Sequence, residues 1–224
     1  TTGRPTGYSA ISSYSRVEIL HLVQEQPQRT IAEIVAATKL HPNTVREHLQ
    51  RLIDEGYVVA VAEHRTTRGR PRVLYSAADG VAVTSAVQRR KVIAAAERGD
   101  LMRRVLPGED PELAPDALHQ VDALVEDLID AGFDPLVDER ELTIDLTPCA
   151  QATAQAAHRE VLCQVHLELM QSVLAAAGGY WLGRGTLPSI DRRIDGMRPS
   201  CDPNECVVQL MLADAGRTRE AAPV

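Results

Sequence analysis

The stretch from Thr30 to Ile53 constrains the fold more than any other part of the chain. Thr30-Ile-Ala-Glu33 has the form of a capping box: the Thr30 hydroxyl can accept from the Glu33 amide while the Glu33 carboxylate reaches back to the Thr30 amide. Ile31, Ile34 and Val35 then supply the apolar face of a short helix. After a brief connection through Thr38-Lys39-Leu40, Pro42 suits a first helical turn that needs no amide hydrogen bond. Val45, Leu49, Leu52 and Ile53 follow at helical spacing, forming one buried stripe. At about 100° per residue the opposite side carries Asn43, Thr44, Glu47, Gln50 and Arg51, with Arg46 on the flank. Nearly every one of these can donate or accept a hydrogen bond, as a helix lying in a major groove requires. Alone, the same face also suits an ordinary solvated helix.

The flanking segments favour the groove. Val17, Ile19, Leu20, Leu22 and Val23 mark a mostly buried helix from Ser15 to Glu25, stopped at Gln26-Pro27 because proline disfavours helix in the residue before it. Val58-Val-Ala-Val-Ala62 and Val73-Leu-Tyr75 read as strands flanking a hairpin tip. Arg65, Arg68, Arg70 and Arg72 crowd that tip around Gly69 and Pro71, a poor arrangement unless an anion shares the space. Phosphates or a narrow A·T-rich minor groove supply one.

The runs Ser15-Arg-Val-Glu-Ile-Leu20, Thr30-Ile-Ala-Glu-Ile-Val35, Leu40-His-Pro-Asn-Thr-Val-Arg-Glu-His-Leu49 and Arg68-Gly-Arg-Pro-Arg-Val-Leu-Tyr75 together resemble the winged helix-turn-helix of ArsR-like bacterial transcriptional regulators. The resemblance covers residues 12–78. It implies a three-helix core with a β-wing and a recognition helix from Pro42 to Glu55. Helix geometry places Asn43, Thr44, Arg46 and Glu47 for base-edge or phosphate contacts, and Gln50 and Arg51 further along. Arg65, Arg68, Arg70 and Arg72 serve the wing.

The remainder differs in character. Residues 1–80 hold 10 Lys+Arg against 8 Asp+Glu, leaving 14 against 23 for residues 81–224, so the net charge of −7 hides a slightly basic head on an acidic body. All four cysteines, Cys149, Cys163, Cys201 and Cys206, fall in the acidic part. Residues 81–106 are helix-compatible through Val83, Ala86, Val87, Val92, Ile93 and Leu101, with Gly99-Asp100 as a break, and suit a dimer element. Two-fold DNA sites one turn apart, ~34 Å, demand such a dimer. Pro107-Gly-Glu-Asp-Pro111 reads as a linker. Pro115 opens a helix with Leu118, Val121, Leu124, Val125, Leu128 and Ile129 at helical spacing, up to a Gly132 stop. Strands are expected over Phe133–Val137 and Glu141–Leu146, then a loop through Cys149, a long helix with Leu162, Val165, Leu169 and Val173, and a final strand, Cys206–Leu212. The expected architecture is mainly α with small β elements: a winged domain at 1–80, a linker and dimerisation helix at 81–110, and a sensor domain at 111–224.

Cys163-x-x-His166 offers two ligands on one helix face, and Cys149, Cys201 and Cys206 can converge on the same centre. Soft thiolates select zinc, copper(I) or iron–sulfur clusters. Singly, a buried Cys or His is an ordinary core residue. Leu146-Thr-Pro-Cys149, His158-Arg-Glu-Val-Leu-Cys163-Gln-Val-His-Leu and Glu205-Cys206-Val-Val-Gln-Leu resemble the C-terminal cysteine motif of SufR-like iron–sulfur repressors and related actinobacterial sensors. That resemblance implies a [4Fe–4S] cluster on Cys149, Cys163 and Cys206, with His166 or Cys201 left open as fourth ligand. Ala150 replaces the usual proline, and 42 residues separate Cys163 from Cys206. Zinc, or a thiol–disulfide switch on Cys201 and Cys206, are the alternatives, and behind them a small-ligand-binding or enzymatic domain over residues 108–224.

The expected partners are double-stranded DNA bearing a palindromic operator and a second copy of the chain. No phosphate-cradling glycine loop or Ser/His/Asp arrangement points to an enzyme. The apolar runs fall short of the ~18 residues of a membrane span and no signal or transit pattern opens the chain, so a cytoplasmic location is expected.

Overall fold

The computed structural model describes residues 11, 13–63, 71–106, 113–147, 149, 156–181 and 206–212, with backbone only at 156–157 and 179–181. Arg65, Arg68, Arg70, Cys201, the expected linker at 107–111 and most of the long gap between Cys163 and Cys206 lie outside the described residues.

Helix α1 (Tyr14–Glu25) buries Val17, Ile19, Leu20 and Val23 and ends at the extended Gln26. Helix α2 (Ile31–Thr38) starts on the expected capping box, the Thr30 amide donating to Glu33 Oε2 at 2.7 Å and the Glu33 amide to Thr30 Oγ1 at 3.4 Å. Lys39 then takes a left-handed conformation (φ 58°), reversing the chain into α3 (Pro42–Glu55), where His41 Nδ1 accepts from the Asn43 amide. Gly56, at φ 90°, caps α3.

Strands β1 (Val58–Ala62) and β2 (Val73–Ala77) form the antiparallel wing, with Val58 opposite Ala77 and Ala62 opposite Val73. A bridge that the sequence did not announce adds Arg29 to the edge of β2: its amide donates to the Tyr75 carbonyl at 3.0 Å and its carbonyl accepts from the Tyr75 amide at 2.8 Å. A one-residue bridge carries no alternation from which to read it.

The helix expected over 81–106 begins later, as α4 (Ala86–Val105). Residues 79–83 form a turn instead, because Asp79 Oδ1 accepts from the Val81 and Val83 amides. Gly99 does not break α4. It faces α5 (Pro115–Ala131), where a β-carbon at 99 would lie 2.0 Å from Asp122 Oδ2, so the glycine permits close helix contact. Arg103 bridges Asp100 and Asp122, Arg98 pairs with Glu126, and Lys91 lies 3.6 Å from Asp130 along the same seam.

The second sheet is antiparallel, in the order β3 (Leu136–Asp138), β4 (Thr143–Asp145), β5 (Val207–Gln209). All three strands are shorter than the alternation suggested. Leu142 turns with φ 53°, and Ile144 and Val208 are the fully buried pair.

Helix α6 (Ala156–Trp181) belongs to two cores. Leu162, Val165 and Leu169 pack with Val17, Leu20, Val45, Leu49 and Tyr75 of the winged half. Met170, Val173, Leu174 and Ala177 pack with Val92, Leu124, Ile144 and Val208. Such a helix is apolar over a wide arc, and His158–Gly178 has the length and hydropathy to cross a membrane, contrary to the short runs read from the sequence. Both of its apolar stripes are used inside the protein. The junction is closed by a buried chain in which Gln88 Nε2 donates to Ser172 Oγ (2.8 Å), which donates to the Ala78 carbonyl (2.8 Å). Beside it Gly80, at φ 76°, lies so close to α6 that a β-carbon would sit 2.3 Å from the Ser172 carbonyl oxygen.

Gly80→Ala should therefore cost about 3 kcal/mol, from left-handed strain and overpacking together. Thr30→Ala should cost only about 1 kcal/mol, the value of one cap. Urea denaturation followed by circular dichroism separates the two.

Candidate nucleic-acid interface and thiol pair

Helix α3 is held from behind by Val45, Leu49 and Leu52, all essentially inaccessible, so its outer face is fixed in direction. Asn43, Arg46, Glu47, Gln50 and Arg51 are exposed on that face and Thr44 is half-buried at its edge. Two of them are already oriented: Arg46 Nη1 donates to Asn43 Oδ1 at 2.9 Å, presenting an amide and a guanidinium as one unit near the helix start. Gln50 Nε2 donates to Asp54 Oδ1 at 2.8 Å, and Arg51 pairs with Glu55 at 3.2 Å. The first turn thus carries the groups best placed for base edges, while the last turns are tied to carboxylates.

The sequence reading missed Arg16. It stands on α1 near Arg51 and Glu55, its guanidinium pKa lowered by burial, then by Arg51, against the opposing pull of Glu55. Burial, then Arg16, lowers the pKa of His48, against the opposing pull of Glu47. No local motif links residue 16 to the recognition helix; only the packing of α1 on α3 does. Arg72 is exposed at the base of the wing, where its carbonyl accepts from the Glu63 amide at 2.8 Å. It also helps lower the pKa of Glu33, after the Thr30 hydrogen bonds and Arg29.

At the other end of the molecule, β4 and β5 bring two thiols together. The Leu146 amide donates to the Cys206 carbonyl (2.8 Å), and the Cys206 amide donates to Thr147 Oγ1 (3.2 Å). This pairing seats Cys206 against Cys149, both buried and both free thiols. Their hydrogen bond, then burial, raises the Cys206 pKa, with the Cys149 and Asp145 charges adding to the effect. Cys163, on α6, is disulfide-bonded, with its partner outside the described residues.

His166, one turn beyond Cys163, is 6% exposed and packs edge-on to Phe133, with ring centroids 5.2 Å apart. Its Nε2 is buried without a hydrogen-bond partner, and burial pushes its pKa down to about 4, so the imidazole is neutral. Among the described residues no three His, Cys, Asp or Glu side chains stand close enough to share a metal ion. The structure thus joins Cys149 to Cys206 and places Cys163 and His166 on the neighbouring helix. Near neutral pH, iodoacetamide should label Cys206 at least about tenfold more slowly in the folded chain than in urea, because only the thiolate reacts and the Cys149 hydrogen bond, then burial, suppress it. Mass spectrometry of the labelled peptide checks this.

No curated protein and no solved structure matches the chain. Residues 13–59, spanning α1 to the first residues of β1, match the family model of bacterial regulatory proteins of the arsR family. This segment is an ArsR-family helix-turn-helix domain, and the chain that carries it is a DNA-binding transcriptional regulator.

Proposed function

We propose that the chain is a homodimeric repressor of the SufR-like type, reading a palindromic operator and controlled by an iron–sulfur cluster on Cys149, Cys163 and Cys206, with His166 or Cys201 as fourth ligand. The observation that carries this reading is the double burial of α6, which bears Cys163 and His166 and also fills the core behind the recognition helix. Asn43, Thr44, Arg46 and Glu47 contact base edges or nearby phosphates; Gln50 and Arg51 follow the backbone; Arg65, Arg68, Arg70 and Arg72 enter the adjacent minor groove or bind its phosphates. The second copy docks on the end of α4, where Leu101, Met102, Val105 and Leu106 are each at least half exposed.

The donor types suit a thiophilic centre, two thiols in contact, a neutral imidazole with an orphaned nitrogen and a third cysteine one helical turn from it, but in this structure no three of the described donors stand together. Cys163 must be reduced before it can ligate. When bound, a cluster would supply a redox-sensitive crosslink among thiolates. The chain's own part is mechanical: Cys149 and Cys206 fix the β4–β5 end, and Cys163 carries any displacement to Leu162, Val165 and Leu169. A coupling of ~1–3 kcal/mol between such a site and the DNA is typical.

The Cys149–Cys206 contact favours a second reading, a thiol–disulfide switch on this pair rather than on Cys201 and Cys206. A hydroperoxide would take two electrons and two protons from the thiols, giving one disulfide, an alcohol and water.

Purification without oxygen separates the readings. The cluster predicts visible absorption with iron and sulfide bound, and loss of both in Cys149→Ala, Cys163→Ala and Cys206→Ala. A colourless, iron-free protein whose three variants bind DNA normally overturns it, and one zinc per chain without sulfide replaces it by zinc. On the DNA side, Asn43→Ala or Arg46→Ala should cost about 1–3 kcal/mol of operator binding. Arg68→Ala with Arg70→Ala should weaken binding to all sequences and flatten the logarithmic salt dependence by about 2. Fluorescence anisotropy across a salt series measures both.

A further inference from the structure

The outer face of α3 presents its hydrogen-bonding groups in a fixed sense. A guanidinium donates at every nitrogen and accepts at none, so in the 2.9 Å contact between Arg46 and Asn43 the amide must turn its oxygen to Arg46 and its NH2 group away. The pair therefore faces outward with N–H groups of both side chains. The start of the helix holds it there: the Asn43 amide bonds to His41 Nδ1, and Val45 and Leu49, buried beneath, fix the rotation of the helix. On the wing side, Tyr75 of β2 stands near enough for the Arg46 charge to oppose the rise that burial gives its phenol pKa, so the guanidinium is close to that strand.

Glu47, one turn beyond Asn43, has the opposite sense. It is exposed, its carboxylate only accepts, and it makes no hydrogen bond or ion pair among the described residues. Further along, Gln50 is tied to Asp54 and Arg51 to Glu55. The groups left to meet bases are thus a paired donor, Asn43 with Arg46, and a single acceptor, Glu47.

Base edges in the major groove differ in the order of such groups. Guanine alone presents two acceptors side by side, N7 and O6. Adenine sets a donor beside an acceptor, and an asparagine reads it by aiming oxygen and NH2 together at the base, which Asn43 does only by giving up Arg46. Thymine offers one acceptor beside a methyl group and leaves part of the donor pair unmet. A carboxylate entering a groove lined by phosphates needs a donor, and the bases supply one at cytosine N4 and adenine N6. Next to the adenine amino group lies the N7 acceptor, which repels the second carboxylate oxygen; next to cytosine N4 lies only a C–H.

We propose that the start of α3 selects a guanine and a cytosine in each operator half-site, guanine N7 and O6 on the Asn43–Arg46 pair and the cytosine amino group on Glu47. The assignment rests on α3 being the base-contacting helix of the proposed regulator and names the bases it prefers.

The test starts from random duplex DNA, from which the full chain, prepared with and without oxygen, selects its sites; fluorescence anisotropy then measures single changes. Both bases should be fixed in each half-site. Replacing the guanine by adenine should weaken binding about tenfold. Replacing it by 7-deazaguanine, which lacks only the N7 acceptor, should weaken binding at least about threefold. Arg46→Ala and, separately, Asn43→Asp, which keeps an oxygen for Arg46 but removes the outward NH2, should each bring guanine and adenine sites to within about threefold of one another. Glu47→Ala should do the same for cytosine against thymine, and circular dichroism shows that each variant is folded. Half-sites without a fixed guanine, an unaffected 7-deazaguanine duplex, or a guanine preference retained in either Arg46→Ala or Asn43→Asp overturns the guanine assignment. A cytosine preference retained in Glu47→Ala overturns the role of Glu47. Binding to DNA with no common sequence overturns both base assignments while the regulator reading stands; binding to no duplex overturns the regulator reading itself.

Discussion

The structure depends on one helix being buried twice. Leu162, Val165 and Leu169 of α6 complete the core behind the recognition helix, and Met170, Val173, Leu174 and Ala177 complete the core under the second sheet. Each fully buried aliphatic side chain is worth roughly 1.5–3 kcal/mol. Three such residues set into the winged half make α6 part of that domain's stability rather than a neighbour resting on it. The hydrogen-bonded chain from Gln88 through Ser172 to Ala78, and the close seat of Gly80, fix the helix along its length as well as against rotation.

A packed core resists continuous deformation and moves between discrete arrangements. A change at the Cys163 turn of α6 therefore reaches Val165 and Leu169 without an intervening loop, and from there α1 and α3. The Tyr14–His158 stack, with ring centroids 3.8 Å apart, ties the start of α1 to the start of α6 in the same way.

What the sequence revealed follows from the range of the interactions. The capping box, Pro42 at the start of α3 and the Gly132 cap are settled within a few residues of themselves, and each stands where the pattern put it. Gly99 shows the limit. Its helix penalty is local, but close contact with α5 at Asp122 outweighs it. The turn at 79–83 was hidden because valines at 81 and 83 fit a helical pattern, while the decisive group is the Asp79 carboxylate. The outer face of α3 was legible residue by residue; the Asn43–Arg46 pairing and the approach of Arg16 were not, since they depend on rotamers and on tertiary packing. The cysteines were visible as candidates, but only the β4–β5 register decides that Cys206 meets Cys149.

Periodicity also marked α6 as apolar without saying for whom. At about 100° per residue, Leu162, Val165 and Leu169 centre on one direction and Met170, Val173, Leu174 and Ala177 on another roughly a quarter-turn away. His166 falls between the two stripes, at the seam where neither core supplies a polar partner, which is why its Nε2 is orphaned. Leaving such an atom unsatisfied costs about 1–3 kcal/mol, and an aliphatic residue there would avoid the cost. Burial keeps the ring neutral, the state in which an imidazole nitrogen donates its lone pair. The orphaned, neutral ring therefore sits on a helix that packs into both cores.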